Sequence, residues 1–225
     1  MNYAANFRTF IASDQPWVAD GGLETDLIFS YGLDLPHFAS FHVFDTTEGR
    51  ATLARYYDRY IDIARRAGTG FVLDTATWRS GAYWPDIVGR SLADIEAATR
   101  EAVRFAHATR ARHSGVPMVI NGAVGPAGDG YAPDRLYTPD DAEAVHAHQI
   151  GWMADEGIEM VSAVTMTHPG ELNEAEELDA GNPEEFGHLY GALFRKLPQL
   201  RVMGGCCGTD HRHIEQVCLA CKVAA

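Results

Sequence analysis

Two adjacent thiols, Cys206 and Cys207, sit in the run Gly204-Gly205-Cys206-Cys207-Gly208-Thr209 near the end of the chain. An apolar stretch (Leu200, Val202, Met203) leads straight into them. That pattern reads as a buried strand delivering two sulfurs to a glycine-lined end. Neighbouring thiolates at a strand end suit a soft metal, with zinc as the default. A thiolate-held zinc with an open position can ionise and activate a substrate thiol. Two small buried hydrophobes are the competing reading, because free cysteine often behaves as one. A redox role is the weakest reading, since no thioredoxin-type motif accompanies the pair.

Other polar residues recur at comparable places. Asp20-Gly21-Gly22, Asp74-Thr75, Asn121-Gly122 and Thr165 to Thr167 each close a short apolar run. The runs are Trp17 to Ala19, Phe71 to Leu73, Pro117 to Ile120, Ile158 to Met166 and Arg201 to Cys206. Between them lie amphipathic segments: Thr52 to Ala67, Ser91 to His113, Thr138 to Glu156, Asn182 to Leu197 and His211 to Lys222. Ser91, Thr138 and Asn182 are suited to cap their helices, the last two followed by Pro at the first helical position. Alternation of near-continuous apolar strands with helices predicts a parallel sheet covered by helices. Chemistry gathered at the carboxyl ends of parallel strands fits a TIM-type barrel or a doubly wound sheet. No Gly-x-Gly-x-x-Gly follows the first strand and no Walker sequence occurs, which argues against nucleotide binding.

Composition narrows the partners. The chain has 225 residues, 46% of them apolar, enough for one domain with a sizeable core. The net charge of −13 disfavours nucleic acid and anionic membrane surfaces. No run of about 18 apolar residues predicts a transmembrane helix, and the first residues lack a signal-peptide pattern. Four cysteines, two of them adjacent, do not make a secreted disulfide framework, so a reducing cytoplasm is expected.

The motifs together resemble the homocysteine S-methyltransferase family, the zinc-dependent homocysteine-binding barrel. The resemblance rests on Asp20-Gly21-Gly22-Leu23-Glu24-Thr25-Asp26-Leu27, Thr75-Ala76-Thr77-Trp78, Asn121-Gly122-Ala123-Val124-Gly125-Pro126 with Gly128 and Tyr131, and the double-cysteine segment with His211 and Ile214. It runs from about residue 15 to 222. It implies transfer of a methyl group from a sulfonium or betaine donor to the zinc-bound thiol of homocysteine, giving methionine. Cys206 and Cys207 are then metal ligands. Asp20 and Glu24 lie near the substrate ammonium, Thr75 and Thr77 line the substrate side of the second strand, and Gly125 gives backbone amides access to the substrate carboxylate. The residues themselves also allow plainer roles: a turn acid, a helix N-terminal charge, β-formers, and a turn before Pro126.

The family barrel has eight strands, whereas five are expected here. The fold expected is therefore α/β, a TIM-barrel-derived but incomplete (β/α) fold, forming a single domain over residues 1–225 with an internal deletion near 168–170. The family's third zinc cysteine, in an Asn-Cys pair, has no counterpart. His168 is the candidate substitute ligand. Cys218 and Cys221 could join the pair in a four-thiolate site, but about 18 Å of helix would carry them away, which favours a core role. Five strands cannot close the usual barrel. Direct pairing of the fourth and last strands is the expected repair, with homo-oligomerisation as another route. The alternative to the enzyme is an impaired or inactive barrel acting as a binding or remnant protein.

Overall fold

The computed structural model describes residues 3–14, 16–128, 138–166, 181–197 and 199–221. The elements in chain order are α1 (Tyr3–Ala12), β1 (Trp17–Val18), α2 (Leu23–Thr25), α3 (Thr47–Ala67), β2 (Phe71–Asp74), α4 (Pro85–Val88), α5 (Leu92–Arg112), β3 (Met118–Val124), α6 (Pro139–Asp155), β4 (Met160–Ala163), α7 (Pro183–Lys196), β5 (Val202–Met203) and α8 (His211–Cys221). A π-helical turn (Asp26–Ser30) and two 3-10 turns (Pro36–Phe38 and Ser40–Asp45) fill the long connection between α2 and α3.

All five strands are parallel, in the order β4-β3-β2-β1-β5. The sheet is a curled half-barrel, an incomplete TIM-type arrangement. Val18, Phe71, Leu73, Met118 and Ile120 point to the helix-covered face, where Leu53, Tyr56, Tyr57, Ile95 and Ile214 complete the main core. Alternate residues point the other way. There α1 lays Phe7 and Phe10 against Trp17, Val72 and Val119, with the Phe10 and Trp17 rings 5.2 Å apart.

The helix starts follow the capping chemistry read from the sequence. Ser91 and Asp94 form a reciprocal capping box, and Thr138 and Asn182 accept from the amides of Asp141 and Glu185. Helix α3 begins at Thr47 rather than at Thr52, because the Thr46 hydroxyl accepts the Gly49 amide and adds a polar first turn.

One expectation fails. The fourth and last strands do not pair with each other: β5 aligns Trp17 with Val202 and Val18 with Met203, β4 pairs with β3, and β4 and β5 are left as the two edges. Taking the place beside β1 commits β5 to the far side of the sheet from β4, and too few strands remain to close the curl. The edge position also shortens β4, which stops before Thr165, a residue with φ of 55°.

Candidate active site

The site is built at the carboxyl end of the sheet. After Met203 the chain makes a glycine turn that packs tightly against the tip of β1. The Gly205 amide donates to the Asp20 carbonyl at 2.8 Å, and the Gly22 amide donates to the Thr209 carbonyl at 3.2 Å. Side chains are excluded from this contact. A Cβ on Gly22 would stand 2.8 Å from the Cys206 carbonyl oxygen, and one on Gly21 would stand 2.7 Å from that of Thr209. The two glycine pairs in the sequence thus let the acidic and thiol segments touch.

Cys206 and Cys207 lie exposed on that turn, with their sulfurs 3.9 Å apart. Two thiolates sharing a tetrahedral zinc at about 2.3 Å each stand about 3.8 Å apart. Donor type and separation therefore fit a soft divalent ion. Among the described residues, no third His, Cys, Asp or Glu joins them. The hydrogen bond to Cys207, then burial, pushes the Cys206 thiol well above its usual range. His168 lies outside the described residues, as does Tyr131.

Three carboxylates surround the neighbouring strand tips. Asp20 is 5% exposed and accepts from the Tyr56 hydroxyl at 3.0 Å. Burial, then the Asp74 charge, raises its pKa well above the ordinary carboxylate range. Asp74 at the end of β2 accepts from Asn121 Nδ2 at 2.7 Å, and burial lifts it to about 6. Glu24 accepts from the Ser40 hydroxyl at 2.7 Å and is raised by burial, with Cys207 and Asp74 adding to the effect. Glu24 thus lies electrostatically between the thiols and the other two acids. Among the described residues, none of the three pairs with a basic side chain.

Thr75 and Thr77 are buried. Their hydroxyls stand 2.7 Å apart, Thr77 donates to the Ala123 carbonyl at 2.8 Å, and the Ala123 amide donates to Thr75. This bonding staples the tip of β2 to β3. The Gly125 amide donates to the Trp78 carbonyl at 2.9 Å, and a Cβ there would collide with that oxygen and the indole. Gly125 therefore admits Trp78, whose Nε1 donates to Thr165 at 3.0 Å and ties in the end of β4. Cys218 and Cys221 are buried in two different apolar clusters and take no part. His213 is buried between Asp210 and the Gly181 carbonyl, and His211 contacts Arg59.

Sequence reasoning placed Asp74 and Asn121 at strand ends but gave no individual role to them or to Ser162; the three form a polar row across β2, β3 and β4. Asn121 Nδ2 donates to Asp74 and, at 2.9 Å, to Ser162 Oγ. The signal was present: each lies two residues beyond an apolar position (Val72, Val119, Met160) on the same face. A cavity of about 630 Å³ opens near the opposite end of the sheet, lined by Trp17, Arg65, Gly70 and Pro117 among others. Its described lining residues include no carboxylate, thiol or histidine.

The structure is thus an incomplete parallel (β/α) barrel with a thiol pair and a group of acids at its strand tips. The profile of the homocysteine S-methyltransferase family matches residues 17–184, and the chain belongs to that family. The matched segment runs from β1 to the start of α7, so Cys206 and Cys207 lie beyond it. No curated protein matches the sequence significantly. Crystal structures of the homocysteine methyltransferase MmuM from Escherichia coli share the fold. Its oxidized form gives a TM-score of 0.67 at 17% identity, covering 94% of this chain and 98% of that one. Its metallated form gives 0.67 at 16% identity, covering 95% and 99%. Among the described residues, no helix is long and apolar enough to cross a membrane.

Proposed function

We propose that this chain transfers a methyl group from a sulfonium or betaine donor to the thiol of homocysteine, giving methionine, within a single unit over residues 1–225 that has lost a segment near 168–170. One observation supports the reading above the rest: two exposed sulfurs 3.9 Å apart stand beside the buried Asp20 and the half-buried Glu24 and Asp74, which have no basic partner among the described residues. An amino thiol carries the two complementary groups, an ammonium and a sulfur.

Cys206 and Cys207 are the residues that would hold zinc, with His168 as a further donor. Zinc bound there would supply the Lewis acidity that keeps an incoming thiol ionised near neutral pH. The remaining work belongs to the chain. Asp20 and Glu24 receive the ammonium, and their buried setting makes that charge pairing strong. Thr75 and Thr77 hold β2 against β3, beside the Asp74–Asn121 pair. Gly125 seats Trp78 over the tips of β3 and β4. A cationic donor needs no protonation to release its methyl group, so positioning is the main requirement and no general acid is assigned. A reducing cytoplasm is the compartment that goes with this reading.

The test is methylation of homocysteine with S-methylmethionine as donor, by zinc-loaded protein and by protein stripped with a chelator. Turnover that disappears on stripping and returns with zinc is the expected result. Turnover that survives complete zinc removal would contradict the reading. A well-folded chain that neither binds zinc nor turns over would favour the alternative, an inactive barrel retained as a binding or remnant protein. The lack of a third metal donor among the described residues is the observation on that side.

A further inference from the structure

Among the described residues, the half-barrel leaves two bare surfaces, one at each edge. β3 is buried along its whole length, whereas β4 alternates half-buried and exposed residues. Met160 and Ser162 point to the face shared with Val119 and Asn121, so Val161 and Ala163 project on the helix side, where Val161 is 40% exposed. A parallel sheet ordinarily has helices over such residues. At the other edge, α7 packs Phe186, Tyr190 and Phe194 on Met203, Val217 and Cys221 of β5 and α8. Leu189 and Leu193, at i and i+4 of α7, form an adjoining stripe turned to solvent, with Leu197 exposed at the C-cap, and Leu189 is 63% exposed.

We propose that a second copy of this chain covers both surfaces, closing a ten-stranded barrel from two half-barrels related by a two-fold axis along the strands. Rotation about that axis keeps every strand parallel and sets β4 of each copy beside β5 of the other. In a right-handed crossover, the helix leading into a strand lies over the seam between that strand and its neighbour. The second copy's α7 therefore comes over the bare side of β4 and brings its leucine stripe onto Val161 and Ala163. The two surfaces are complementary in kind. Among the described residues, one edge has a strand without a covering helix, and the other has an apolar helix stripe without a strand to cover. A copy of this chain offers both at once, and two-fold pairing uses each twice and leaves no open edge. The same closure sets the second copy's β4 tip next to Cys206 and Cys207.

Sedimentation velocity of the full chain at micromolar concentration tests this. The expected species has twice the 24.6 kDa chain mass. Val161→Glu and Leu193→Glu alter residues already exposed in the single chain, so both should fold, with unchanged far-UV circular dichroism, and sediment as monomers. A wild-type monomer at every concentration would overturn the proposal, and so would a dimer that both variants leave intact. Should either variant aggregate, hydrogen exchange on the wild type decides. The amides of β4 should exchange more slowly at high protein concentration than at low, and equal rates would overturn the proposal.

Discussion

Substituting Asp74→Asn should stabilise the protein, and only above a definite pH. Burial raises the Asp74 pKa from its ordinary value of 3.8 to about 6. The native state therefore binds more protons than the unfolded chain between those two values, and stability falls as pH rises through that window and levels off above it. A displacement of about two units at 1.36 kcal/mol each gives about 3 kcal/mol as the full penalty at neutral pH. The Asp74 charge in turn adds to the rise at Asp20. Asparagine keeps the oxygen that accepts from Asn121 Nδ2, so the row across β2, β3 and β4 survives while the charge is removed. Urea unfolding followed by circular dichroism, at about pH 4 and about pH 7, measures the effect. The variant should match the wild type at the lower pH and exceed it by up to about 3 kcal/mol at the higher one, with no change in m-value. Equal midpoints at neutral pH, or a variant destabilised equally at both, would refute the claim that Asp74 is a desolvated charge without a counter-ion among the described residues.

Asp20→Asn should raise KM for homocysteine about tenfold or more, the effect of losing a charge-assisted bond to the ammonium, and should leave the KM of a thiol lacking the amino group unchanged. Steady-state kinetics on the two acceptors separates these outcomes. Thr77→Val leaves the Thr75 hydroxyl and the Ala123 carbonyl short of a partner and should cost about 1–3 kcal/mol in chemical denaturation. Gly125→Ala forces the new methyl group into Trp78 and should cost about 1–3 kcal/mol, read as a lowered melting temperature.

Much of the architecture was legible because local signals agreed. The caps at Ser91, Thr138 and Asn182 fall where their side chains suggest, and the apolar runs from Phe71 and Met118 are interior strands. Edges were less legible. The apolar run from Ile158 to Met166 reads as a long buried strand, yet the strand proper is Met160 to Ala163, with backbone bonds to β3 from Glu159 and Val164 at its ends, and among the described residues no strand lies on its far side. Whether the last strand would join β1 or β4 is a matter of long-range pairing, which apolar periodicity does not encode. At the site, residue types were readable but their partners were not. Cys206 and Cys207 are exposed at a strand tip, as the glycine frame implies. Tyr56 reads as one more apolar position on a helix face, yet its hydroxyl reaches across to Asp20. Thr75, Thr77 and Gly125 turn out to be bonded within the protein, to one another and to β3 or to Trp78, contacts set by tertiary packing.

The account turns on the vicinal sulfurs and the neighbouring acids forming one amino-thiol site. Its most direct test is the rate of homocysteine methylation by zinc-supplied wild type against Cys207→Ala under the same conditions. A variant that folds normally but has lost turnover is the predicted result. Undiminished turnover in Cys207→Ala would contradict it.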